Sequence, residues 1–260
     1  MIVGIIGGSG FIGRHLCNLI SNHLEDTLVV WSHKSHGDFL SKENRETFLD
    51  SNELNLLYQL SWTSIEDDDY RHSPQNALFA EATVDLVRSC IQRGLQTIVI
   101  GTASQKMINE KDEYLKSKEM LRNAILELDN VGVTLVRPTF VFSIEERRPY
   151  LFRTFMKWVE QGNNAEDFPL NFPKTEIDLV HVKDVAESLY HVANQLAHHS
   201  EVIIASGLSL SVYDAVQTLN QRISGSVTRT ISVPFSSTLF DPKVATSTLN
   251  QNTLQFFGLT

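Results

Sequence analysis

The chain has 260 residues, 42% hydrophobic and 20% charged, the balance of a globular protein able to bury a core without disulfides or metals. Its 31 acidic against 22 basic residues give a formal net charge of −9, the reverse of what a nucleic-acid binder needs to meet phosphates. Two distant cysteines, Cys17 and Cys90, and no apolar run of about 18 residues argue against a disulfide framework, a Cys-x-x-Cys metal site and a membrane span.

Residues 2–6 are a short apolar run stopped by Gly7, the pattern of a buried parallel strand. Phe11, Ile12, Leu16, Leu19 and Ile20 follow at helical spacing, and Thr27 to Trp31 reads as a second strand. Further strands are predicted at Leu54 to Leu60, Thr97 to Ile100 and Val133 to Val136, with helices near 74–93 and 112–129 between them. Such alternation predicts an α/β fold, a parallel sheet with helices on both faces. Beyond Arg137 the alternation loosens. Helices are expected near 150–161 and 211–222, a strand and helix within 177–197, and strands at Glu201 to Ala205 and near 227–233. The acidic run Glu66-Asp67-Asp68-Asp69 reads as a solvated loop. The start, Met1 to Ile6, lacks the basic region and cleavage site of a signal peptide, which predicts a cytoplasmic protein.

The strongest signal is Gly7-Gly8-Ser9-Gly10-Phe11-Ile12-Gly13, directly after the first strand. Gly7 permits the tight turn, Gly10 has no side chain to block a pyrophosphate, and Gly13 lets the helix pack on the strand. The helix start then offers free N–H groups and a partial positive charge to phosphates. In NAD-binding versions of this turn a carboxylate at the end of the second strand accepts from the adenosine ribose. Here the stretch is Ser32-His33-Lys34, with no carboxylate, and these three side chains suit a 2′-phosphate. NADP(H) is therefore favoured, with NAD(H) the alternative. Asp38 and Phe39 follow, as candidates to meet and cover the adenine.

Tyr114 and Lys118 stand four apart on a predicted helix and so share a face. A nearby ammonium is expected to lower the tyrosine pKa, suiting it to pass a proton to or from a substrate oxygen, while Lys118 holds the nicotinamide ribose. The preceding strand ends in Gly101-Thr102-Ala103-Ser104, at the sheet edge where open parallel sheets bind ligands. Thr102 and Ser104 are the candidates to polarise that oxygen.

These residues resemble the extended short-chain dehydrogenase/reductases, the NAD-dependent epimerase/dehydratase family of nucleotide-sugar enzymes. The glycine turn matches nearly letter for letter. Leu60-Ser61-Trp62 falls where the family places a strand end beside the cofactor, Tyr114 and Lys118 match its catalytic pair, and Leu135-Val136-Arg137-Pro138 resembles its segment near the nicotinamide. His181-Val182-Lys183-Asp184-Val185-Ala186 resembles its element opening a late helix. The short span between the second and fourth strands is similar to the deoxysugar-nucleotide reductases, such as dTDP-4-dehydrorhamnose reductase. Ser104-Gln105-Lys106 lacks the acidic pair of the sugar 4,6-dehydratases, which argues against elimination chemistry.

The resemblance implies a Rossmann doubly wound parallel sheet, 1–142 with 176–206, and a smaller substrate domain from 143–175 and 207–260. It makes Arg147, Arg148 and Arg153 candidate contacts to a nucleotide diphosphate. The implied activity is reduction of a keto group on a nucleotide-linked sugar, with hydride from the nicotinamide and the proton from Tyr114. A nucleotide-sugar epimerase holding NAD tightly, a reductase of other ketones, and a non-catalytic NADP-binding sensor or scaffold are the alternatives. No metal, membrane or nucleic-acid partner is expected. A homodimer through the helices near 74–93 and 112–129 is the expected assembly.

Overall fold

The structure is a computed structural model that describes residues 1–23, 25–63, 70–103, 112–129, 131–143, 150–164, 167–170, 174–195, 201–224, 244–245 and 251–257. The chain divides into two compact units, Met1–Arg137 with Ala186–Ile203, and Pro138–Val185 with Ile204–Thr260.

In the first unit, β1 (Ile2–Ile6), α1 (Gly13–Ser21), β2 (Thr27–Trp31), the single turn α2 (His33–His36), α3 (Lys42–Ser51) and β3 (Leu56–Gln59) come first. Then follow α4 (Gln75–Gln92), β4 (Gln96–Ile100), α5 (Glu113–Glu127) and β5 (Val133–Pro138). Helix α7 (Val182–Gln195) and β8 (Glu201–Ile204) follow, and the strands of this unit lie in the order β8-β5-β4-β3-β1-β2. The pairs β1/β2, β1/β3, β3/β4 and β4/β5 are all parallel. This is the Rossmann-type α/β sheet that the alternating sequence pattern predicts.

Strand alternation decides which helix covers which face. Leu57 packs with Ala82 and Leu86 of α4 and with Phe48 and Leu49 of α3. The next residue, Tyr58, points the other way, and its hydroxyl donates to the Leu189 carbonyl of α7 at 3.3 Å. His23, just past α1, stacks on Tyr190 of α7, so α1 belongs to that second face. The chain order along the sheet reverses between β1 and β3, and such a reversal opens a crevice at the carboxyl ends of the strands. The turn α2 and one longer helix, α3, fill the interval from β2 to β3, which is why that interval is short.

The second unit carries β6 (Phe140–Phe142), α6 (Tyr150–Glu160), β7 (Glu176–His181), β9 (Ser209–Ser211), α8 (Val212–Ser224) and α9 (Gln251–Phe257). β7 pairs in parallel with β6 and antiparallel with β9, over a core of Phe142, Phe152, Phe155, Leu179, Leu210 and Leu219. The strand expected near 227–233 lies outside the described residues.

Asp184, fully buried at the start of α7, accepts from the backbone amides of Asn252 (3.1 Å) and Thr253 (2.8 Å). It accepts also from Asn252 Nδ2 at 2.8 Å and from the Thr253 hydroxyl. One carboxylate thus caps the amino end of α9, where a negative charge is favoured. Asp184→Asn turns an amide NH2 toward these donors. It is expected to lower stability by about 1–2 kcal/mol, read from the urea midpoint at unchanged slope. An unshifted midpoint contradicts the clamp.

Candidate active site

The glycine turn lies at the reversal of the sheet order. Gly7 has φ +92°, a left-handed conformation that favours glycine, and a Cβ built there would lie 2.6 Å from the Ser61 amide nitrogen. The turn therefore presses on the β3 end, at Leu60 and Ser61. Ser9 and Gly10 are exposed, Phe11 and Ile12 are half-buried, and Gly13 is buried at the first position of α1. A Cβ on Gly13 would come 2.1 Å from the Gly7 carbonyl oxygen. No side chain caps α1, and its first turn carries no acidic residue. Backbone amides, a positive helix end and the absence of a repelling carboxylate fit the pyrophosphate of a dinucleotide.

The end of β2 runs directly into the single turn α2. Ser32 is the N-cap of α2: its Oγ accepts from the Ser35 amide at 3.1 Å and bonds the Ser35 hydroxyl at 2.6 Å. The Ser32 amide donates to His36 Nδ1 at 3.1 Å. His33 and Lys34 stay exposed and available to an anion. Asp38 closes a local turn, accepting from the Leu40 amide at 3.0 Å. Phe39, expected to cover an adenine, is only 6% exposed and packs among Trp31, Phe48 and Phe79. It is a core residue. Tertiary partners brought by α3 and α4, invisible to a local reading of Gly37-Asp38-Phe39, take up its ring.

The ends of β3 and β4 bring the remaining groups together. Lys118 is 3% exposed, and its ammonium donates to the Ile100 carbonyl, the last residue of β4, at 3.1 Å. The same nitrogen stands 3.4 Å from the centre of the Trp62 ring and 5.9 Å from that of Tyr114. Tyr114 meets Trp62 and Tyr70 edge-on, at 6.3 and 5.5 Å between ring centres. Its hydroxyl has no hydrogen-bond partner among the described residues. Thr102 is buried beside this strand end, and its carbonyl accepts from Arg137 Nε at 2.9 Å.

The electrostatics differ from expectation. Burial raises the Tyr114 phenol well above its ordinary value, with Tyr70 adding to the rise and Arg71 opposing it. Burial also lowers the Lys118 ammonium to about 7. Desolvation is the largest influence on the phenol, and Lys118, itself desolvated, is not among the groups that shift it.

Three supports were missed by the sequence reading. Asn76, fully buried on α4, accepts from Trp62 Nε1 at 2.7 Å and the Thr63 hydroxyl at 3.1 Å, and donates to the Tyr70 carbonyl at 2.6 Å. Asp112 caps α5 through the Leu115 amide and pairs with Arg71, whose carbonyl accepts the Tyr114 amide at 3.0 Å. Tyr70 is the third, walling the phenol. An aspartate just before a helical pattern is a readable start signal, and Asp112 was legible on that ground. Nothing local marks Asn76 or Tyr70.

Ser104, Arg147 and Arg148 lie outside the described residues. Arg153 is half-buried on α6 of the second unit, and Pro138 is the buried last residue of β5. Among the described residues no cluster of His, Cys, Asp and Glu forms a metal site, and no helix is long and apolar enough to cross a membrane.

Solved structures share this fold at low identity. A UDP-N-acetylglucosamine 4-epimerase from Bacillus cereus is 19% identical, with TM-score 0.65 over 87% of this chain and 82% of that one. A dTDP-4-dehydrorhamnose reductase from Clostridium acetobutylicum is 14% identical, with TM-score 0.69 over 94% and 89%. A GDP-L-fucose synthetase from Naegleria fowleri, bound to NADP, is 14% identical, with TM-score 0.67 over 86% and 78%. No protein of curated function matches the sequence. Residues 3–205 match the model of one family, across the glycine turn, the Tyr114/Lys118 helix and the clamp at Asp184. The chain belongs to the NAD dependent epimerase/dehydratase family.

Proposed function

We propose that the protein is an NADPH-dependent reductase of a keto group on a nucleotide-linked sugar. The carrying observation is the Tyr114 phenol, held protonated by burial, with a hydroxyl that no described residue occupies, one helical turn from Lys118. The nicotinamide supplies the hydride. Tyr114 donates the proton to the substrate oxygen, Lys118 offsets the phenolate left behind, and Thr102 or Ser104 positions the oxygen. An epimerase must first take a proton from an alcohol, which a phenol raised by burial does poorly. The protonated phenol is in the state that donates.

In this reading the second unit binds the nucleotide sugar, with Arg147, Arg148 and Arg153 toward its diphosphate. The protein is cytoplasmic and pairs as a homodimer through α4 and α5, where Leu78 and Met120 are exposed. Incubation with NADPH and a 4-keto sugar nucleotide tests the chemistry. Stoichiometric loss of the reduced-nicotinamide absorbance supports reduction, and an inverted sugar with the cofactor unchanged overturns it.

The absent carboxylate at β2 and the exposed His33 and Lys34 favour a 2′-phosphate. NADPH is expected to bind at least about tenfold tighter than NADH, roughly the worth of one charge-assisted contact. Calorimetry returning the opposite order contradicts the assignment.

The pH dependence has a definite sign. Lys118 is charged below about 7 and loses its proton above it, so reduction is expected to decline as pH rises through that value. Stability moves oppositely. Between about 7 and its ordinary 10.5 the unfolded lysine binds a proton that the folded one has released, so this group makes stability rise with pH there. A declining rate with a rising melting temperature separates the two. A flat rate profile from pH 6 to 9 removes Lys118's charge from the mechanism.

A further inference from the structure

We propose that Trp62, anchored by Asn76, is the positioning residue that holds the Lys118 ammonium in place beside Tyr114. This deepens the reading of Tyr114 and Lys118 as the proton-handling pair and rests on it. A buried ammonium ordinarily has a carboxylate partner. Among the described residues Lys118 has none: its contacts are the Ile100 carbonyl, the Trp62 ring face and the Tyr114 ring.

Among the described residues the surrounding elements offer no substitute. α4 turns Ala80, Val84 and Val87 toward α5, and at the head of α5 Asp112 and Arg71 pair with each other. Among the described residues, Tyr70 and Tyr114 are the other titratable side chains at this place, both phenols. The electron-rich indole face at 3.4 Å is therefore the group that compensates the charge. Its orientation is fixed from behind, because Trp62 Nε1 donates to Asn76 Oδ1 at 2.7 Å and Asn76 is itself locked by the Tyr70 and Ser73 carbonyls. Burial pulls the ammonium toward neutrality, and the indole opposes that pull. Remove the ring and the lysine loses both its charge and its register.

The test follows the lysine directly, in protein carrying 13C-labelled lysine. The Lys118 Cε signal is assigned by its loss in Lys118→Met and titrated with pH. In Trp62→Leu the Lys118 midpoint is expected to fall by about one pH unit, and the upfield displacement of its side-chain protons by the indole ring current to vanish. Trp62→Phe, which keeps a π face but loses the donor to Asn76, is expected to fall between. An unchanged or raised midpoint in Trp62→Leu overturns the proposal. Should that variant not fold, the same result in Trp62→Phe overturns it. With NADPH and a keto sugar nucleotide, the declining limb of the rate profile is expected to move by the same interval as the titration. A wild type that reduces no such substrate sinks the reductase reading, while the titration still decides the role of Trp62.

Discussion

Tyr114→Phe is expected to lower turnover by at least about 100-fold, the usual worth of a positioned proton donor, with cofactor affinity kept within about twofold. The substitution removes one oxygen and keeps the ring, so the edge-on contacts with Trp62 and Tyr70 persist. No hydrogen bond to a described residue is broken, and the melting temperature should hold. The loss then belongs to the chemical step. Because the half-buried phenol is held protonated, the loss falls on the rate constant and not on substrate binding, the pattern of an interaction made only in the transition state. Wild-type turnover in this variant removes Tyr114 from the mechanism. Wild-type cofactor binding with no turnover in either protein favours the sensor reading instead.

Gly13→Ala is expected to weaken dinucleotide binding by more than about 100-fold. A methyl group there would fall 2.1 Å from the Gly7 carbonyl oxygen and 2.8 Å from the Gly8 α-carbon. Both obstacles are backbone, so no side chain can swing away, and the turn or the helix must move. Moving α1 retracts the amides and the positive end that meet the pyrophosphate. Moving Gly7 disturbs the contact with Ser61 that seats the turn against β3. The expected readout is loss of calorimetric binding together with a lowered melting temperature. Gly10→Ala makes a useful contrast. Its only close neighbour among the described residues is the Gly7 oxygen at 3.1 Å, so it should fold nearly normally while crowding the ligand face. Unimpaired binding in Gly13→Ala contradicts the seat assigned to the cofactor.

What the sequence disclosed followed the strength of its periodicity. β1 with its glycine corner, and the long helices α4 and α5, repeat apolar residues for long enough to be read directly. Helix α3 was missed because its residues, Lys-Glu-Asn-Arg-Glu-Thr-Phe-Leu-Asp-Ser, show only Phe48 and Leu49 as apolar. Its third inward residue is Arg45, whose guanidinium donates to the Phe39 and Leu40 carbonyls at 2.7 and 3.0 Å, so a buried position carried a charged letter. β6 and β9 are three residues each, too short for any period. At the site, four-residue spacing placed Tyr114 near Lys118 but carried no information on how dry the place is. That dryness comes from Trp62 and Tyr70, some fifty residues away in the chain, and it reversed the expected direction of the phenol's shift.

The clamp on α9 has a consequence during synthesis. Asp184 is made 69 residues before the Thr253 amide that it receives. At ribosomal speeds of about 5–20 residues per second, that carboxylate waits on the order of ten seconds for its donors. Residues 186–203, which close the sheet of the first unit, emerge within that interval. The nascent sheet can thus finish before the second unit does, and a ribosome paused short of codon 252 would hold a completed first unit tethered to an unfinished second one.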